Sequence, residues 1–467
     1  MTSSRPGDAR LLQELWGRLD PGGILSCACG REHRIAAGDV LVAGDAIESA
    51  AELLRRRHGP SPTVWVLSDE NTEAAAGARW KAACGRTNVR SRVLPAVPRP
   101  IPSLELAEAL AAEVMGSPPD LLVAVGGGVV SDLVKRVSLR AGVPNWCIAT
   151  APSVDAFSSD TAALRVAGYH QSVAARASEV IVCDLEVLGR APRVLVLAGL
   201  GDLLAKLLAN LDWKLAWLLT GEPLCVTVAD LALEAAREAI AAARALDTDP
   251  GAAAGALIEA GLVSGFAMQA MGSSRPAASA EHTIAHFWEA ASAARSEGPD
   301  LHGILVGAAC ALILPGYLEL YRRLTEVEPE VEERLAACAA ERPWEETLEE
   351  GMRPLRGTIA QAMRGRRCDA AVLARHLAAF VRERERIVAL AAPLLVELSA
   401  AIRLLEGLGF PSLGALRIPE AQRLLPVRNV RLLRHRYTSF DLAYELGMER
   451  EIVAAIALAQ RDNADRG

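Results

Sequence analysis

The chain has 467 residues, of which 51% are apolar and only 4% aromatic, and its formal net charge is −7. Few aromatic rings and an acidic balance argue against a nucleic-acid-binding surface, which needs stacking platforms and a basic face. The length accommodates two or three domains, or one enzyme with two lobes.

Strands and helices alternate in the first part of the chain. An amphipathic lead-in occupies residues 1–24, and apolar runs bounded by turn residues follow it. We predict strands at 39–42, 63–67, 91–94, 121–125, 146–149 and 180–183, and helices at 45–58, 104–115 and 129–140. This alternation predicts a parallel α/β domain.

A glycine-rich turn stands at the centre of this pattern. The apolar run Leu121–Val125 meets Gly126, Gly127 and Gly128, and the amphipathic segment Val129–Arg140 follows. Strand, tight turn and helix form the unit in which backbone N–H groups at a helix start bind a diphosphate.

A second polar edge follows the next predicted strand. The run Trp146–Ala149 ends in Thr150, Ser153 and Asp155. In open parallel sheets, ligands bind beyond the carboxyl ends of the strands, where both turns would lie. The sequence therefore places the nucleotide site here.

The chain changes character after Pro192, where long Ala/Leu/Glu/Arg segments with helical periodicity begin. We predict an α/β nucleotide-binding domain over 1–191 and an all-helical domain over 192–467. No low-complexity linker separates the two parts, so the active site is expected in the cleft between them.

The nine cysteines form an odd set, and many lie in apolar stretches, so we expect most of them to be buried reduced thiols rather than a disulfide framework. Cys27, Cys29 and His33 are residue types that bind zinc. No second cysteine pair or His-x3-His lies nearby to complete four ligands, so the sequence disfavours a structural zinc site there.

The N-terminal residues carry charges where a signal peptide needs an apolar core. The longest uncharged run, Gly303–Leu318, is shorter than the ~20 residues of a membrane span and contains proline. We expect a buried helix there, and a cytoplasmic protein without an integral membrane segment.

Three of the eight histidines lie close together in the sequence: His282, His286 and His302. The first two are four residues apart in a helix-like stretch and so project from one face. Imidazoles with one carboxylate bind zinc or nickel and leave a position open for substrate. Asp202, at the start of an apolar helix, is the best-placed carboxylate.

Each of these signals also has a structural interpretation. Histidines four apart are more often a surface or core feature than a ligand pair, and an Asp after Gly at a helix start is usually a cap. Three glycines after a strand are common in turns. The residues alone predict a two-lobed nucleotide-binding enzyme and leave open whether it binds a metal ion.

Taken together, several segments resemble the sn-glycerol-1-phosphate dehydrogenases, nearest to the bacterial branch. This family lies in the superfamily of iron-containing alcohol dehydrogenases and dehydroquinate synthase. The matching strings, in order, are CACGREH, SDENT, GGGVVSDLVK, TAPSVDAFSS, CDLEVLGRAP, AGLGDLLAK, LDWKLA, GSSRPAASAEHTIAHFWE, His302-Gly303 and RYTSFDLAYELGM. The resemblance covers about residues 25–455 and implies a Rossmann-like domain followed by an all-α domain, the dehydroquinate-synthase-like fold.

The resemblance also implies a role for individual residues. Asp202, His282 and His302 would ligate a divalent zinc or nickel ion, and Asp155, Asp202 and His286 would contact the substrate. The residues expected to bind the nicotinamide cofactor are Asp69, Gly126, Gly127, Gly128, Asp132, Thr150, Ser153 and Ser159. A carboxylate at Asp69 would bind a ribose 2′-hydroxyl and favour NAD, although the family uses NAD(H) or NADP(H).

The reaction implied is reduction of dihydroxyacetone phosphate to sn-glycerol 1-phosphate in a homodimer. Ser273, Ser274 and Arg275 are candidate donors to the phosphate by residue type. Where the family commonly has His-Gly-Glu, this chain has His302-Gly303-Ile304, which removes a carboxylate expected to orient His302.

Three other functions are compatible with the same motifs. A dehydroquinate-synthase-like cyclase would have Glu in place of Asp202 and Gly in place of Lys135. A glycerol or polyol dehydrogenase would need no donors for a phosphate. A non-catalytic relative would have little reason to keep the Asp/His/His set.

Overall fold

We describe the fold from a computed structural model, in residues 9–36, 38–166, 168–295, 298, 300–364 and 369–464. The chain divides into two compact units, each made of two segments. The first comprises Met1–Leu203 and Asp230–Ser274, and the second comprises Leu204–Ala229 and Arg275–Gly467.

The first unit contains a six-stranded sheet in which every pair is parallel. Its spatial order is β1-β8-β5-β4-β2-β3. Eight strands are present in the described chain: β1 (Asp39–Ala43), β2 (Thr63–Asp69), β3 (Asn88–Leu94), β4 (Leu121–Gly126), β5 (Asn145–Ala149), β6 (Thr161–Val166), β7 (Tyr169–Ala174) and β8 (Val180–Asp184).

Strands β4, β5 and β8 are buried along their whole length. Continuous apolar runs of this kind are typical of parallel strands that are covered on both faces. The six predicted strands all form within a few residues of their expected bounds, and the α/β class of this part is confirmed. Because neighbouring parallel strands end on the same side, the turns after β4 and β5 meet at one edge of the sheet.

The antiparallel hairpin of β6 and β7 was not predicted from the sequence. Its burial alternates unevenly and both strands carry polar residues, so no apolar run marks them. The hairpin depends on tertiary contacts rather than on its own pattern.

The helices in the first part of the chain are α1 (Arg10–Gly17), α2 (Ala46–His58), α3 (Glu70–Thr72), α4 (Ala78–Cys84), α5 (Leu104–Gly116), α6 (Gly128–Ala141) and α7 (Leu185–Gly189). A π-helical turn, Glu73–Gly77, joins α3 to α4. Ser103 caps α5, and its side chain accepts a hydrogen bond from Leu106 N.

All described elements after residue 192 are helical, as the sequence predicts. They are α8 (Arg193–Thr220), α9 (Val226–Ala243), α10 (Pro250–Met271), α11 (Ala280–Ala294), α12 (His302–Arg323), α13 (Val331–Ala339), α14 (Trp344–Thr347), α15 (Arg356–Ala362), α16 (Ala370–Gly407), α17 (Glu420–Arg423), α18 (Leu425–Arg428), α19 (Val430–Leu433), α20 (Ser439–Glu445) and α21 (Glu449–Ala464), with short 3-10 turns at Glu350–Leu355 and Leu413–Ala415.

Four helices of the described chain are long and apolar enough to cross a membrane by length and composition: α8, α10, α12 and α16. In α8, α10 and α12, most of the apolar window is buried inside the protein. The run Gly303–Leu318 lies in α12 and forms the buried helix that the sequence predicts. In α16 only 33% of the window is buried.

A buried ammonium group ties α6 to the segment after β5. Lys135 is completely buried, and its Nζ donates to Ala156 O at 2.8 Å, to Ser159 Oγ at 3.0 Å and to Thr161 O at 2.6 Å. It also forms an ion pair with Asp132 Oδ1 at 2.8 Å. The positive charge is therefore compensated by one carboxylate and three oxygen acceptors.

We expect Lys135→Met to lower the free energy of unfolding by about 3–5 kcal/mol, because it leaves Asp132 as an uncompensated buried charge. Urea unfolding followed by circular dichroism measures the change. The matched control is Arg140→Met on the same helix, which breaks an exposed pair with Glu108 and is expected to cost at most about 1 kcal/mol. Equal losses in the two variants would contradict the structural role assigned to Lys135.

Candidate active site

The glycine turn lies at the carboxyl end of β4. Gly126 ends the strand, and Gly127 precedes α6 with an extended backbone. A Cβ on Gly126 would lie 2.8 Å from the Val130 side chain, and one on Gly128 would lie 2.8 Å from Val154 Cγ2. These two glycines are therefore required by packing against α6 and against the segment after β5.

Gly127 faces the second predicted polar edge. A Cβ there would lie 3.6 Å from Ser153 Oγ. Thr150 N donates to Gly126 O at 3.3 Å, and the side chains of Thr150 and Ser153 are both buried. No side chain caps the start of α6, whose first N–H groups lack intrahelical acceptors. The turn, the helix start and both hydroxyls thus converge at one edge, an arrangement suited to a phosphate.

Three other predicted nucleotide contacts are engaged within the protein. Asp69 ends β2 and caps α3 by accepting a hydrogen bond from Thr72 N at 2.9 Å. Asp132 Oδ2 accepts from Ala163 N at 2.9 Å, in addition to its ion pair with Lys135. Ser159 is 2% exposed, and its hydroxyl lies in the Lys135 cluster. The observed contacts of Asp132 and Ser159 hold the segment after β5 against α6.

Asp155 and Asp202 are adjacent in the first unit. The backbone N–H of Asp155 donates to Asp202 Oδ2 at 3.3 Å, and Ser264 Oγ donates to Asp155 Oδ2 at 2.8 Å. Both carboxylates are buried. Carboxylates bind divalent cations and accept hydrogen bonds from hydroxyl groups, so both residue types suit the predicted ligand and substrate roles.

Small residues allow α8 and α10 to approach the segment 150–159 closely. A Cβ on Gly199 of α8 would overlap the carbonyl oxygen of Pro152, and one on Gly265 of α10 would lie 2.6 Å from Asp155 O. Ser158 Oγ also donates to Leu262 O of α10 at 2.6 Å. The position of Asp155 is therefore set by backbone contacts from two helices.

The three predicted histidines come together in the second unit. His282 and His286 lie on α11, and His302 is the first residue of α12. The ring centroid of His302 lies 5.4 Å from that of His282 and 5.4 Å from that of His286. Ligand nitrogens of His282 and His302 lie within 4.8 Å of each other, close enough for both to bind one metal ion.

Two glutamates that the sequence analysis missed orient these rings. His282 Nδ1 lies 2.9 Å from Glu281 Oε1, and His302 Nδ1 lies 3.0 Å from Glu289 Oε1. Both glutamates are buried. A carboxylate that accepts from Nδ1–H places the lone pair on Nε2, as in carboxylate–histidine–metal arrangements. The acidic residues within AEHTIAHFWEA were the available signal.

Glu289 also accounts for the departure at position 304. Ile304 is 2% exposed and lies in the core, where the family commonly has a glutamate. The carboxylate next to His302 comes instead from α11, one helix earlier in the chain. The orientation of His302 is thus retained despite the missing glutamate.

Arg275, a predicted phosphate donor, belongs to the core of the second unit. It is 3% exposed, and its guanidinium donates to Glu222 at 2.8 Å and to the carbonyl oxygens of Asp212 and Tyr437. These contacts give it a structural role in place of the one suggested by residue type. Ser273 and Ser274 are half-buried.

Next to Arg275, Asp212 accepts hydrogen bonds from Ser279, Tyr317 and Ser439. Burial raises the pKa of Asp212 to about 6, against the lowering effect of the hydrogen bonds from Ser279 and Ser439. The network fixes Ser279, the residue immediately before α11, and so positions the helix that carries His282.

Known proteins match this chain over most of its length. Residues 41–192 match the family model described as iron-containing alcohol dehydrogenase. A glycerol-1-phosphate dehydrogenase [NAD(P)+] of Bacillus velezensis is 31% identical over 64% of this chain and 77% of that protein. The chain belongs to the glycerol-1-phosphate dehydrogenase family. A member of this family from Sulfurisphaera tokodaii is 39% identical over 44% of this chain and 56% of its own.

Solved structures confirm the fold of this family member. An iron-containing alcohol dehydrogenase of Thermococcus thioreducens has a TM-score of 0.57 at 16% identity, covering 90% of this chain and 98% of its own. An NADH-dependent butanol dehydrogenase of Thermotoga maritima has a TM-score of 0.56 at 15% identity, covering 88% and 96%. At these identities the likeness concerns the fold alone.

We expect Gly199→Ala to destabilise the protein by about 1–3 kcal/mol, because the added methyl group overlaps Pro152 O. Alanine would otherwise stabilise a helix interior by about 1 kcal/mol relative to glycine. Urea unfolding measures whether the substitution lowers or raises the free energy of unfolding. The control is Gly357→Ala in α15, where the new Cβ meets open space; a stabilised Gly199→Ala variant would disprove the close approach.

Proposed function

We propose that this protein is a metal-dependent NAD(P)H oxidoreductase that reduces dihydroxyacetone phosphate to sn-glycerol 1-phosphate. Its membership of the glycerol-1-phosphate dehydrogenase family supports the reaction. The observation that carries the assignment is the cluster of His282, His286 and His302 with two buried carboxylates behind the rings.

The dinucleotide binds at the sheet edge in this proposal. Backbone N–H groups at the start of α6 hold the diphosphate, with Gly127 leaving room for it next to Ser153. Thr150 and Ser153 donate to the nicotinamide half, and Asp69 accepts from a ribose hydroxyl at the end of β2. Asp132 and Ser159 support this edge through Lys135.

The metal ligands we propose are Asp202, His282 and His302. The donor set fits a divalent zinc or nickel ion, since two imidazoles with their Nδ1 atoms against carboxylates have Nε2 as the ligand atom. When bound, the metal supplies Lewis-acid polarisation of the C2 carbonyl, and the reduced nicotinamide supplies the hydride.

The chain's own residues then bind and protonate the substrate. Asp155 accepts from the substrate hydroxyl, and its carboxylate is pre-oriented by Ser264. The C2 oxygen needs one proton once the carbonyl is reduced. His286, whose ring is stacked on that of His302, supplies this proton from a ring nitrogen. Ser273 and Ser274 remain candidate donors to the phosphate.

The remaining assignments complete the proposal. Residues 1–191 carry the nucleotide-binding role and the substrate contact of Asp155, and residues 192–467 carry the metal ligands and the other substrate contacts. The enzyme is soluble, and its substrate is a small phosphorylated three-carbon compound. We further propose that it acts in the cytoplasm as a homodimer.

The first experiment follows NADH oxidation by absorbance, with metal-loaded protein and either dihydroxyacetone phosphate or dihydroxyacetone. We expect turnover of the phosphate alone, and a loss of at least about a hundredfold in His282→Ala, as for removal of a catalytic group. Turnover of plain dihydroxyacetone alone would instead identify a polyol dehydrogenase. Inactivity on both, with metal and NAD bound, would favour a dehydroquinate-synthase-like cyclase or a non-catalytic relative.

A second experiment tests the carboxylate behind His302. We expect Glu289→Gln to weaken the affinity for the active-site metal by about 10- to 100-fold, because the neutral amide makes the imidazole less basic. Competition with a chelator measures the affinity. Glu319→Gln, which alters a half-buried glutamate paired with Arg322 on α12, is the control and should leave the metal affinity unchanged. Equal affinities in all three proteins would refute the role of Glu289.

A further inference from the structure

The segment Cys27–His33 forms a closed loop at one end of the first unit. Leu25 N donates to His33 O at 2.8 Å, and Ile35 N donates to Gly23 O at 2.9 Å, so the two ends of the loop pair with each other. Gly30 has a φ of +78°, in the left-handed region that favours glycine. This tight turn brings the side chains before and after it to the same side.

Three potential metal ligands meet in this loop. Cys27 Sγ lies 3.1 Å from Cys29 Sγ, and Cys29 Sγ lies 3.0 Å from His33 Nε2. The ligand atoms of all three residues lie within 4.8 Å of one another. The two cysteines are not joined by a disulfide, because their sulfur separation is well beyond the ~2.05 Å of an S–S bond.

The orientation of His33 is an independent indication of a metal. The residue is 2% exposed, and its Nδ1 lies 2.7 Å from the carbonyl oxygen of Ala270 at the end of α10. A carbonyl accepts only from N–H, so Nδ1 carries the proton and Nε2 carries the lone pair directed toward Cys29. A metal-bound histidine commonly has its second nitrogen held by a backbone carbonyl in this way.

We propose that Cys27, Cys29 and His33 are three ligands of a structural zinc ion, separate from the metal of the active site. Thiolates and imidazole are the donors that zinc prefers, and zinc in structural sites takes four ligands. The spacing Cys-x-Cys-x3-His has no fourth ligand nearby in the sequence, which is why the sequence disfavoured the site. The fold brings the three side chains together and sets the tautomer of His33, and the sequence shows neither.

A zinc ion bound by Cys27, Cys29 and His33 would stabilise the end of α10, which contacts the segment 150–159. Ala270 accepts from His33, and its neighbour Gln269 accepts from Ala36 N at 2.9 Å. The side-chain amide of Gln269 also donates to Ser158 O in the segment after β5. The zinc loop, the end of α10 and the segment that contains Asp155 are therefore joined through consecutive hydrogen bonds.

The test is the metal content of the full-length protein, purified without a metal-binding tag and measured by inductively coupled plasma mass spectrometry. We expect two metal ions per wild-type chain, one of them zinc, and one ion in either Cys29→Ser or His282→Ala. The Cys29→Ser variant should keep the active-site metal and NADH binding, and should have a lower melting temperature. Two ions in Cys29→Ser would contradict the proposal.

A second measurement does not depend on whether Cys29→Ser folds. Zinc X-ray absorption on His282→Ala, in which the active-site metal is removed, should show sulfur at about 2.3 Å. Three results would overturn the site. The first is an absorption spectrum with nitrogen and oxygen neighbours alone. The others are a wild-type chain whose one metal ion is lost in His282→Ala, and a Cys27–Cys29 disulfide found by thiol titration. The proposed dehydrogenase reaction would be unaffected by any of these results.

The buried cysteines provide matched controls. Each is replaced by serine in turn, and zinc content is measured again; these cysteines are Cys84, Cys147, Cys183, Cys225 and Cys310. With three ligands assigned, a four-coordinate ion has one position left, so at most one of these changes should remove zinc. Zinc loss at two or more positions would contradict the proposed ligand set.

Discussion

The edge of the sheet at the carboxyl ends of β4 and β5 depends on one buried charge, the ammonium group of Lys135. Removing a cation from water is costly unless oxygen atoms surround it, and here Asp132 and three further oxygens do so. Because two of these oxygens are backbone carbonyls, the charge fixes the path of the chain after β5. The segment that presents Thr150, Ser153 and Asp155 is thereby held against α6.

Close backbone contacts then determine how precisely this segment is held. Gly199 and Gly265 let two helices approach it to distances that no side chain would permit. A carboxylate held in this way keeps one position, which is the property of a preorganised site. The glycines of α8 and α10 thus set the position of Asp155.

The histidines of the second unit show how an orienting group can be replaced. What His302 requires is a carboxylate within hydrogen-bond distance of Nδ1, and the identity of the helix that provides it is secondary. Glu289 meets this requirement from α11, so the isoleucine at 304 is free to pack in the core. Reading position 304 alone would therefore overstate the consequence of the missing glutamate.

The sequence by itself determined the class of the fold and the family, because local sequence patterns are enough to predict both. The buried strands β4, β5 and β8 are continuous apolar runs, the glycines follow β4 directly, and His282 and His286 recur at helical spacing. The tertiary structure decided what depends on residues far apart in the chain. It produced the β6–β7 hairpin, enclosed Lys135, and paired His33 with Ala270 across 237 positions of sequence. It also placed Arg275 in the core, where residue type had suggested a phosphate donor. These features follow from burial and from hydrogen bonds that form only when distant segments pack together. The periodicity of apolar residues along the chain does not predict them.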